Sequence, residues 1–361
     1  MPKNIVILCD GTGQIGGVGA STNVYKLFNM LEDRTPNQVV YYDAGIGSGG
    51  RKYFDQITGH GFKRNMLECY QFLFDQYEAG DKVFLFGFSR GAATVRSLSG
   101  FIELFGILPQ SRRDLIAKAY DIYKMKTHGK EHNAGVQYHK RVHLNARERA
   151  AKAFVEKHHT MWTRIRFLGV WDTVAALGFG DSKLGMLVDR WWPHRFHNFK
   201  LSAGVDYARH ALSIDDERKT FHPLIWAPLH KDEPEDRQKQ VWFCGVHTDV
   251  GGGYNEAELS YYSLDWMIRE ATDKGLLIHK EGTPWKDFQK VKYDIEGMMH
   301  NEQTGFWKKR IYPRAVRFWP EDFGPVCLHE SVLERRKNNA NGHDPAYKPW
   351  ILSVKERTTI K

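Results

Sequence analysis

The 361-residue chain has little cysteine, no internal repeat, and no apolar run approaching the roughly 20 residues that a membrane-spanning helix needs. Its first residues, MPKNIVILCDGTG, lack the apolar core and cleavage site of a secretory signal peptide. These absences exclude repeat architectures and argue against an integral membrane protein. We therefore expect a cytoplasmic protein, with secretion by a leaderless route left open.

The cysteines are too few and too scattered for a disulfide framework or a zinc site. The chain has only Cys9, Cys69, Cys244 and Cys327, with no C-x-x-C or C-x-H spacing among them. Cys9 and Cys244 lie in apolar runs, which indicates reduced thiols in a core and a reducing compartment. The cysteine spacing therefore predicts no metal site, and the interpretation of the site residues given below needs neither a metal ion nor an organic cofactor.

The positive charge is concentrated in one segment. The chain has 52 Lys and Arg against 43 Asp and Glu, a formal net charge of +9, and residues 110–166 alone hold 14 basic against five acidic residues. This segment matches no nucleic-acid-binding signature, so we expect no nucleic-acid partner. Two interpretations remain: a solvated helical insertion whose charge aids solubility, or a cap over the active site that makes peripheral contact with an anionic membrane surface.

Apolar runs that suit strands alternate with stretches that suit helices. The predicted strands are residues 4–8, 39–42, 83–88, 165–171 and 241–246, and the predicted helices are residues 22–32, 62–78 and 90–105. Because each strand is almost wholly apolar, the pattern predicts an α/β fold with a mostly parallel central sheet and helices on both faces. Residues 1–280 are the predicted core, and weak periodicity with many turn signals predicts that residues 281–361 form an irregular extension packed on it.

The stretch GFSRG fits the G-x-S-x-G pattern of a nucleophile turn. Ser89 stands between Gly87 and Gly91, after an apolar strand and before a helix. Such a turn strains the backbone at the serine and needs small residues two positions before and after it. The pattern predicts Ser89 as a nucleophile, and a glycine-serine turn without chemistry is the alternative.

A nucleophilic serine needs a base and an orienting acid, which follow on this kind of scaffold in the order Ser, acid, His. Asp172 comes directly after the strand that ends in FLGVW, and His247 comes directly after VWFCGV. We predict Asp172 as the acid and His247 as the base. The alternatives are a helix N-cap for Asp172 and a buried structural role for His247, with His222 and His230 as the nearest rivals for the base.

The loop after the first strand, CDGTG, is the predicted source of one oxyanion donor. The N–H of Gly11 or Thr12 would face the site, and the N–H of Arg90 would supply the second donor. Asp10 either hydrogen-bonds the turn that shapes this oxyanion hole or acts as a phosphatase-type nucleophile. For the phosphatase alternative, the chain lacks the second aspartate of the D-x-D-x-T pattern.

Two further motifs lie at predicted strand ends. Asp249 is expected to tie down the DVGGGY loop through backbone N–H groups, with a role as the acid of the triad as the alternative. The GIGSGG stretch, residues 45–50, has the glycines of a phosphate loop but neither a G-K-[ST] ending nor G-x-G-x-x-G spacing. It therefore does not predict a nucleotide site.

Several longer strings occur in a familiar order over residues 3–270: CDGTG, YYDAGIGSGG, NMLECYQFLFDQY, FLFGFSRGAATVRSLSGFI, FLGVWDTVAALG, ALSIDDERKTFHPLIW and VWFCGVHTDVGGGY. Together they resemble the type VI secretion phospholipase effector family with a Tle1-like catalytic domain, a branch of the α/β-hydrolases. The resemblance places the family's Ser-Asp-His triad on Ser89, Asp172 and His247. The chain differs from the usual family pattern at Gly13, where an aromatic residue normally follows D-G-T.

The resemblance implies a serine hydrolase of acyl esters of the phospholipase or lipase type. Its substrate would be a lipid or a small ester, and its reaction would pass through an acyl-enzyme without a cofactor. The alternative is a catalytically silent hydrolase fold used for protein interaction or for binding an anionic surface. The sequence indicates no particular oligomeric state.

Overall fold

A single parallel sheet forms the centre of the molecule. The computed structural model describes residues 2–11, 20–45, 60–125, 144–174, 200–291, 293–302, 315–338, 347–354 and 356–361. Within them the strands are β1 (Asn4–Cys9), β2 (Gln38–Asp43), β3 (Lys82–Phe88), β4 (Ile165–Trp171), β5 (Val205–Ser213), β6 (Gln238–Phe243), β7 (Val326–His329) and β8 (Arg357–Ile360). The strand order is β2-β1-β3-β4-β5-β6-β7-β8, and every neighbouring pair is parallel. The predicted fold class is confirmed.

Helices cover both faces of this sheet. The described helices are α1 (Asn23–Met30), α2 (His60–Gln76), α3 (Arg90–Phe105), α4 (Leu115–Tyr123), α5 (Ala146–His158), α6 (His247–Gly251), α7 (Glu258–Asp273), α8 (Thr283–Gln289) and α9 (Glu330–Asn338). Helices α2 to α5 share a buried apolar cluster with Ile5 and Ile7 of β1, and α1, α7 and α8 share another with Val6 and Leu8. Both faces of the strand are therefore apolar, which explains its unbroken apolar sequence. Among the described residues, no helix combines the length and apolar character needed to cross a membrane.

Strand β5 was missed by the sequence prediction because its buried residues include charged ones. Arg209 lies in the middle of the strand with a side chain that is 0% exposed. Its guanidinium donates to Glu270 Oε2 at 2.6 Å and to Asp236 Oδ1 at 2.8 Å. Because these carboxylates neutralise the arginine, a strand with a polar sequence occupies the interior of the sheet.

The C-terminal segment is more regular than predicted. Residues 281–361 contribute α8, β7, α9 and β8, and the two strands extend the sheet beyond β6. Each of these strands has only four residues, too few for a clear alternation of apolar and polar side chains. The expectation that this segment is irregular is therefore corrected for these elements.

The described part of the basic segment, residues 110–166, belongs largely to the helical layer. Leu115 and Ile116 of α4, together with Ala151 and Phe154 of α5, join the apolar cluster on the α3 side of the sheet. Residues 126–143 lie outside the described residues. In the part that is described, the two helices pack beside α3.

Candidate active site

Ser89 occupies a strained turn at the carboxyl end of a central strand. β3 ends at Phe88 and α3 begins at Arg90, so the serine alone connects them. Its backbone has φ 57° and ψ −120°, a conformation that a residue with a side chain rarely adopts. The Ser89 N–H donates to Trp171 O at 3.1 Å, which fixes the turn to the end of β4. The predicted strand–serine–helix turn is confirmed.

The glycines on either side of Ser89 allow this turn to pack against its neighbours. A Cβ atom built on Gly87 would lie 2.6 Å from Gly91 O, and one built on Gly91 would lie 2.1 Å from Cys9 O. Both obstacles are backbone atoms, which cannot rotate away as a flexible side chain would. The close packing of the backbone therefore requires residues without a side chain at these two positions, and glycine meets this requirement.

The variant Gly91→Ala is expected to lower the free energy of unfolding by at least about 2 kcal/mol, since the added methyl overlaps the backbone of β1. Urea unfolding of the purified protein measures this change. Gly204→Ala is the matched control, because the nearest atom to a Cβ there is Thr163 O at 3.9 Å. Equal stability of the two variants would contradict the packing argument.

Asp172 and His247 form a buried hydrogen-bonded pair at the same edge of the sheet. His247 Nδ1 lies 2.7 Å from Asp172 Oδ2, and both side chains are almost completely buried. Asp172 follows β4 with φ 34°, a strained backbone that turns its carboxylate toward β5. There it accepts hydrogen bonds from the N–H of Ser213 at 3.1 Å and from Ser213 Oγ at 3.0 Å.

The carboxylate of Asp172 is held in its ionised form. Burial raises its pKa, but the Arg317 charge and the hydrogen bond to His247 outweigh burial and lower the pKa below its ordinary value. The guanidinium of Arg317 donates to Asp172 Oδ2 at 3.1 Å. A permanently charged acceptor beside Nδ1 fixes the ring orientation and leaves Nε2 as the nitrogen available to receive a proton.

His247 is oriented by aromatic packing as well as by hydrogen bonds. Its ring centroid lies 4.6 Å from that of Phe88, the residue before Ser89, and 5.1 Å from that of Phe221. Its backbone N–H, at the start of α6, donates to Asp216 Oδ2 at 3.1 Å. The Phe88 contact brings the imidazole next to the nucleophile turn.

The rival histidines lie in other environments. His222 Nε2 is 3.2 Å from Ala315 O, and His230 Nδ1 is 3.1 Å from Asp232 Oδ2 in an exposed ion pair. Neither of these contacts involves the carboxylate of Asp172. Among the three candidate bases, His247 is the one that the structure pairs with this acid.

The loop after β1 is organised by the carboxylate of Asp10. It accepts hydrogen bonds from Thr22 Oγ1 at 2.6 Å and Tyr42 Oη at 2.7 Å. The Gly11 N–H also donates to it, at 2.7 Å, so the prediction that this N–H is free to face the site is wrong. The hydrogen bond from the Gly11 N–H forms easily because Asp10 and Gly11 are adjacent in the chain. Burial raises the pKa of Asp10 to about 6. The contacts match the turn-shaping role predicted for Asp10 and leave the phosphatase reading without support.

The other two predicted oxyanion donors are the N–H groups of Thr12 and Arg90. Thr12 lies outside the described residues. Arg90 is the first residue of α3 and directly follows Ser89. Gly11 remains next to the serine, because a Cβ atom built on it would lie 3.5 Å from Ser89 Cβ.

Asp249 ties two loops together and does not pair with His247. Its Oδ2 accepts from the backbone N–H of Val246 and of His300, each at 3.0 Å. Its Oδ1 lies 2.6 Å from His300 Nδ1. Asp249 thus binds backbone N–H groups as predicted, but those of Val246 and His300 and not those of the DVGGGY loop itself. The alternative of Asp249 as the acid of the triad is not favoured by this geometry.

One group among the described residues could hold a metal ion. The ligand atoms of Cys9, Asp43 and Cys69 lie within 4.8 Å of one another, and the two sulfurs are 3.2 Å apart. The hydrogen bond between Cys9 and Cys69, together with burial, raises the pKa of Cys9 well above its ordinary value. Because metals bind thiolates, the raised pKa of the Cys9 thiol makes this group a poor ligand set. Residues 46–50 of the glycine-rich GIGSGG stretch lie outside the described residues.

Sequence reasoning missed three residues that contact the Asp172–His247 pair. Ser213 is the last residue of the unpredicted strand β5 and Asp216 follows it, so their place at the sheet edge could not be recognised. The string ALSIDDERKTFHPLIW, which contains both, was the only signal for them. Arg317 had no signal, since it belongs to the segment that was predicted to be irregular.

A parallel sheet with a strained strand–serine–helix turn at its centre, and an Asp–His pair at the same edge, defines a protein of the α/β-hydrolase type. The model of the type VI secretion phospholipase effector family, Tle1-like catalytic domain, matches residues 3–270. The chain belongs to this family.

Similar proteins are known from a yeast and from bacterial structures. The chain is 30% identical to an uncharacterized protein of Saccharomyces cerevisiae, YEL023C, over 63% of this chain and 33% of the yeast protein. It is 16% identical to an uncharacterized protein from Pseudomonas aeruginosa, with a TM-score of 0.43 over 77% of this chain and 46% of that one. It is also 16% identical to the Tle1 effector solved bound to the VgrG spike of the type 6 secretion system, with a TM-score of 0.39 over 71% of this chain and 52% of that one. The chain thus spans between a third and about half of these relatives.

Proposed function

We propose that the protein is a serine hydrolase of acyl esters that acts on lipids of the glycerophospholipid class. The observation that carries this proposal is the buried Asp172–His247 pair, 2.7 Å apart, whose imidazole packs on the residue next to the strained Ser89. A pair of this kind activates a neighbouring hydroxyl by accepting its proton. Membership of a phospholipase effector family supports the choice of a lipid ester.

In the first half of the proposed reaction, Ser89 Oγ attacks the ester carbonyl carbon while its proton passes to His247 Nε2. The carbonyl oxygen becomes an oxyanion that faces the first turn of α3, where the helix dipole and the backbone N–H of Arg90 stabilise it. The intermediate then collapses. The bond from carbon to the alcohol oxygen breaks, the imidazolium returns its proton to the departing alcohol, and the acyl group stays on Ser89.

In the second half, a water molecule replaces the alcohol. His247 Nε2 takes one proton from the water as its oxygen attacks the acyl carbon. Collapse of the second intermediate breaks the bond to Ser89 Oγ, which recovers the proton, and releases the carboxylic acid. Throughout, the anionic Asp172 stabilises the positive charge that forms on the ring of His247.

We further propose a cytoplasmic protein that contacts anionic membranes through the exposed cations of α4 and α5. Lys118 and Lys124 are engaged in surface ion pairs with Asp114 and Asp121. Such pairs are worth at most about 1 kcal/mol, so a lipid phosphate can replace the carboxylate at little cost. Each cation near an anionic surface adds about 1 kcal/mol of binding, which salt weakens.

Replacing four exposed lysines by glutamate, three in α4 and α5 and one directly after α4, tests the lipid surface and the substrate class together. The lysines are Lys118, Lys124, Lys152 and Lys157. At low salt we expect hydrolysis of phospholipid in vesicles containing phosphatidylglycerol, followed as released fatty acid, to fall at least tenfold. Hydrolysis of a soluble nitrophenyl ester should stay within twofold, because the substituted helices pack beside α3 and away from the Asp172–His247 pair.

A charge-matched variant separates membrane contact from net charge. Its four exposed lysines, Lys231, Lys280, Lys286 and Lys290, lie outside α4 and α5. This variant should retain vesicle hydrolysis. Equal losses of vesicle hydrolysis in the two variants would mean that net charge, and not contact through α4 and α5, causes the effect. A wild-type protein that cleaves the soluble ester but no phospholipid would contradict the proposed lipid substrate.

A further inference from the structure

Arg317 reaches the candidate active site from outside the region that the family model matches. The segment around it alternates in exposure: Val316 is 48% exposed, Arg317 is 1% exposed and Phe318 is 64% exposed. The N–H of Ala315 donates to Glu217 O at 2.7 Å, which anchors the segment beside the loop after β5. The chain thus turns one charged side chain inward between two apolar ones that face outward.

The contacts of Arg317 converge on the acid that pairs with His247. Its Nη2 donates to Asp172 Oδ2 at 3.1 Å and to Ser213 Oγ at 2.9 Å, and its Nε donates to Asp216 O at 2.6 Å. Asp172 Oδ2 is the same oxygen that lies 2.7 Å from His247 Nδ1. The buried guanidinium and the imidazole therefore share one carboxylate oxygen.

We propose that Arg317 is a positioning residue that sets the pH at which this hydrolase loses activity in acid. The inference rests on the proposed function. Arg317 and Ser213 hold the Asp172 carboxylate in one orientation, and the fixed charge of the guanidinium opposes a second positive charge on the nearby ring.

The charged and titratable groups around this pair come from every element that packs against it. They are Asp172 at the end of β4, His210 in β5, Asp216 and Arg218 after β5, Asp249 in α6 with its partner His300, Glu302 beside Arg218, and Arg317 itself. Two of these groups neutralise each other: Arg218 donates to Asp216 through Nε at 3.0 Å. Asp249 is likewise engaged with His300 at 2.6 Å. The guanidinium of Arg317 is the cation that touches the Asp172 carboxylate directly.

The test measures the pH dependence of kcat/KM for a soluble nitrophenyl ester in the full chain. For Arg317→Met we expect kcat to fall at least tenfold near neutral pH, with KM changed less than threefold. The midpoint of the acid limb should move up by about one pH unit, since the substitution removes a positive charge that lies 3.1 Å from the carboxylate oxygen shared with His247. Arg317→Gln, which keeps donors but loses the charge, should shift the midpoint in the same direction, and Arg317→Lys should restore it.

Arg335→Met is the matched control for loss of a buried arginine. Arg335 is 8% exposed, lies in the same C-terminal part of the chain, and donates to Gly297 O at 3.0 Å. It should lose stability, followed as Tm, while its acid limb stays at the wild-type pH. If both Arg317→Met and Arg317→Gln keep the wild-type midpoint while Tm falls as in the control, Arg317 is structural and the inference is wrong.

Failure of the inference about Arg317 can be distinguished from failure of the proposed hydrolase function. If Ser89→Ala retains the ester hydrolysis, the hydrolase proposal fails and the pH profile of the Arg317 variants has no bearing on it. If Ser89→Ala is inactive and the acid limb does not respond to the charge at position 317, only this inference fails. Should Arg317→Met fail to fold, the comparison of Arg317→Gln with Arg317→Lys gives the same decision.

Discussion

Ser89→Ala is expected to reduce hydrolysis of a short-chain nitrophenyl ester by about four orders of magnitude or more. The substitution removes the oxygen that forms the acyl bond and leaves the Asp172–His247 pair intact. Stability should stay close to wild type, because alanine keeps the Cβ atom and therefore the backbone strain at φ 57°. Initial rates and thermal unfolding of the purified variant measure the two effects separately.

A serine inside the helix that follows Ser89 controls for this change. Ser99 lies in α3 and donates its hydroxyl to Arg96 O at 2.7 Å, ten residues from the nucleophile turn. Ser99→Ala should keep activity within about threefold of wild type. Residual activity of Ser89→Ala within tenfold of wild type would be incompatible with a nucleophilic role for Ser89.

Asp172→Asn should lower turnover by about 10⁴-fold while the protein stays folded. The amide has nearly the same shape as the carboxylate, but its NH₂ group cannot accept the Nδ1 proton, so the ring adopts the other tautomer and loses its acceptor at Nε2. The effect should appear in kcat far more than in KM, because the Asp172 carboxylate is buried and contacts His247, Ser213 and Arg317.

His247→Ala should be as damaging as Asp172→Asn, and the double variant should be no worse than the more damaging single variant. Residues that act as one unit show this lack of additivity, since the second substitution has nothing left to remove. If the two losses multiply, the residues do not act together. Asp249, two positions from His247 in the sequence, would then be the acid to test.

The sequence predicts the parts of the site that are encoded locally. A strand, a serine with flanking glycines and a helix occur within a short stretch around Ser89, and steric rules connect that pattern to one backbone geometry. Asp172 and His247 were predicted because each follows an apolar run, and the carboxyl ends of parallel strands meet at one edge of the sheet. These inferences need no knowledge of which strands are neighbours.

The parts that escaped prediction depend on contacts between distant residues. β5 is a polar strand whose burial is possible only because Glu270 and Asp236 neutralise Arg209. Because β5 was not predicted, the sequence offered no reason to place Ser213 and Asp216 beside Asp172. Arg317 joins the same carboxylate across 145 residues of chain, in a segment without periodicity. The prediction of a free N–H at Gly11 failed for a simpler reason: this N–H donates to the carboxylate of the preceding residue, Asp10.

Covalent labelling by a fluorophosphonate probe tests the central claim most directly, because the probe reacts with a serine only where a base activates it. Intact mass and peptide mapping after a short incubation should show one equivalent of probe, attached to Ser89. Ser89→Ala should take up none, and His247→Ala should react far more slowly. Labelling at a different residue, or no labelling of folded wild-type protein, would contradict the assignment of Ser89 as a nucleophile activated by His247.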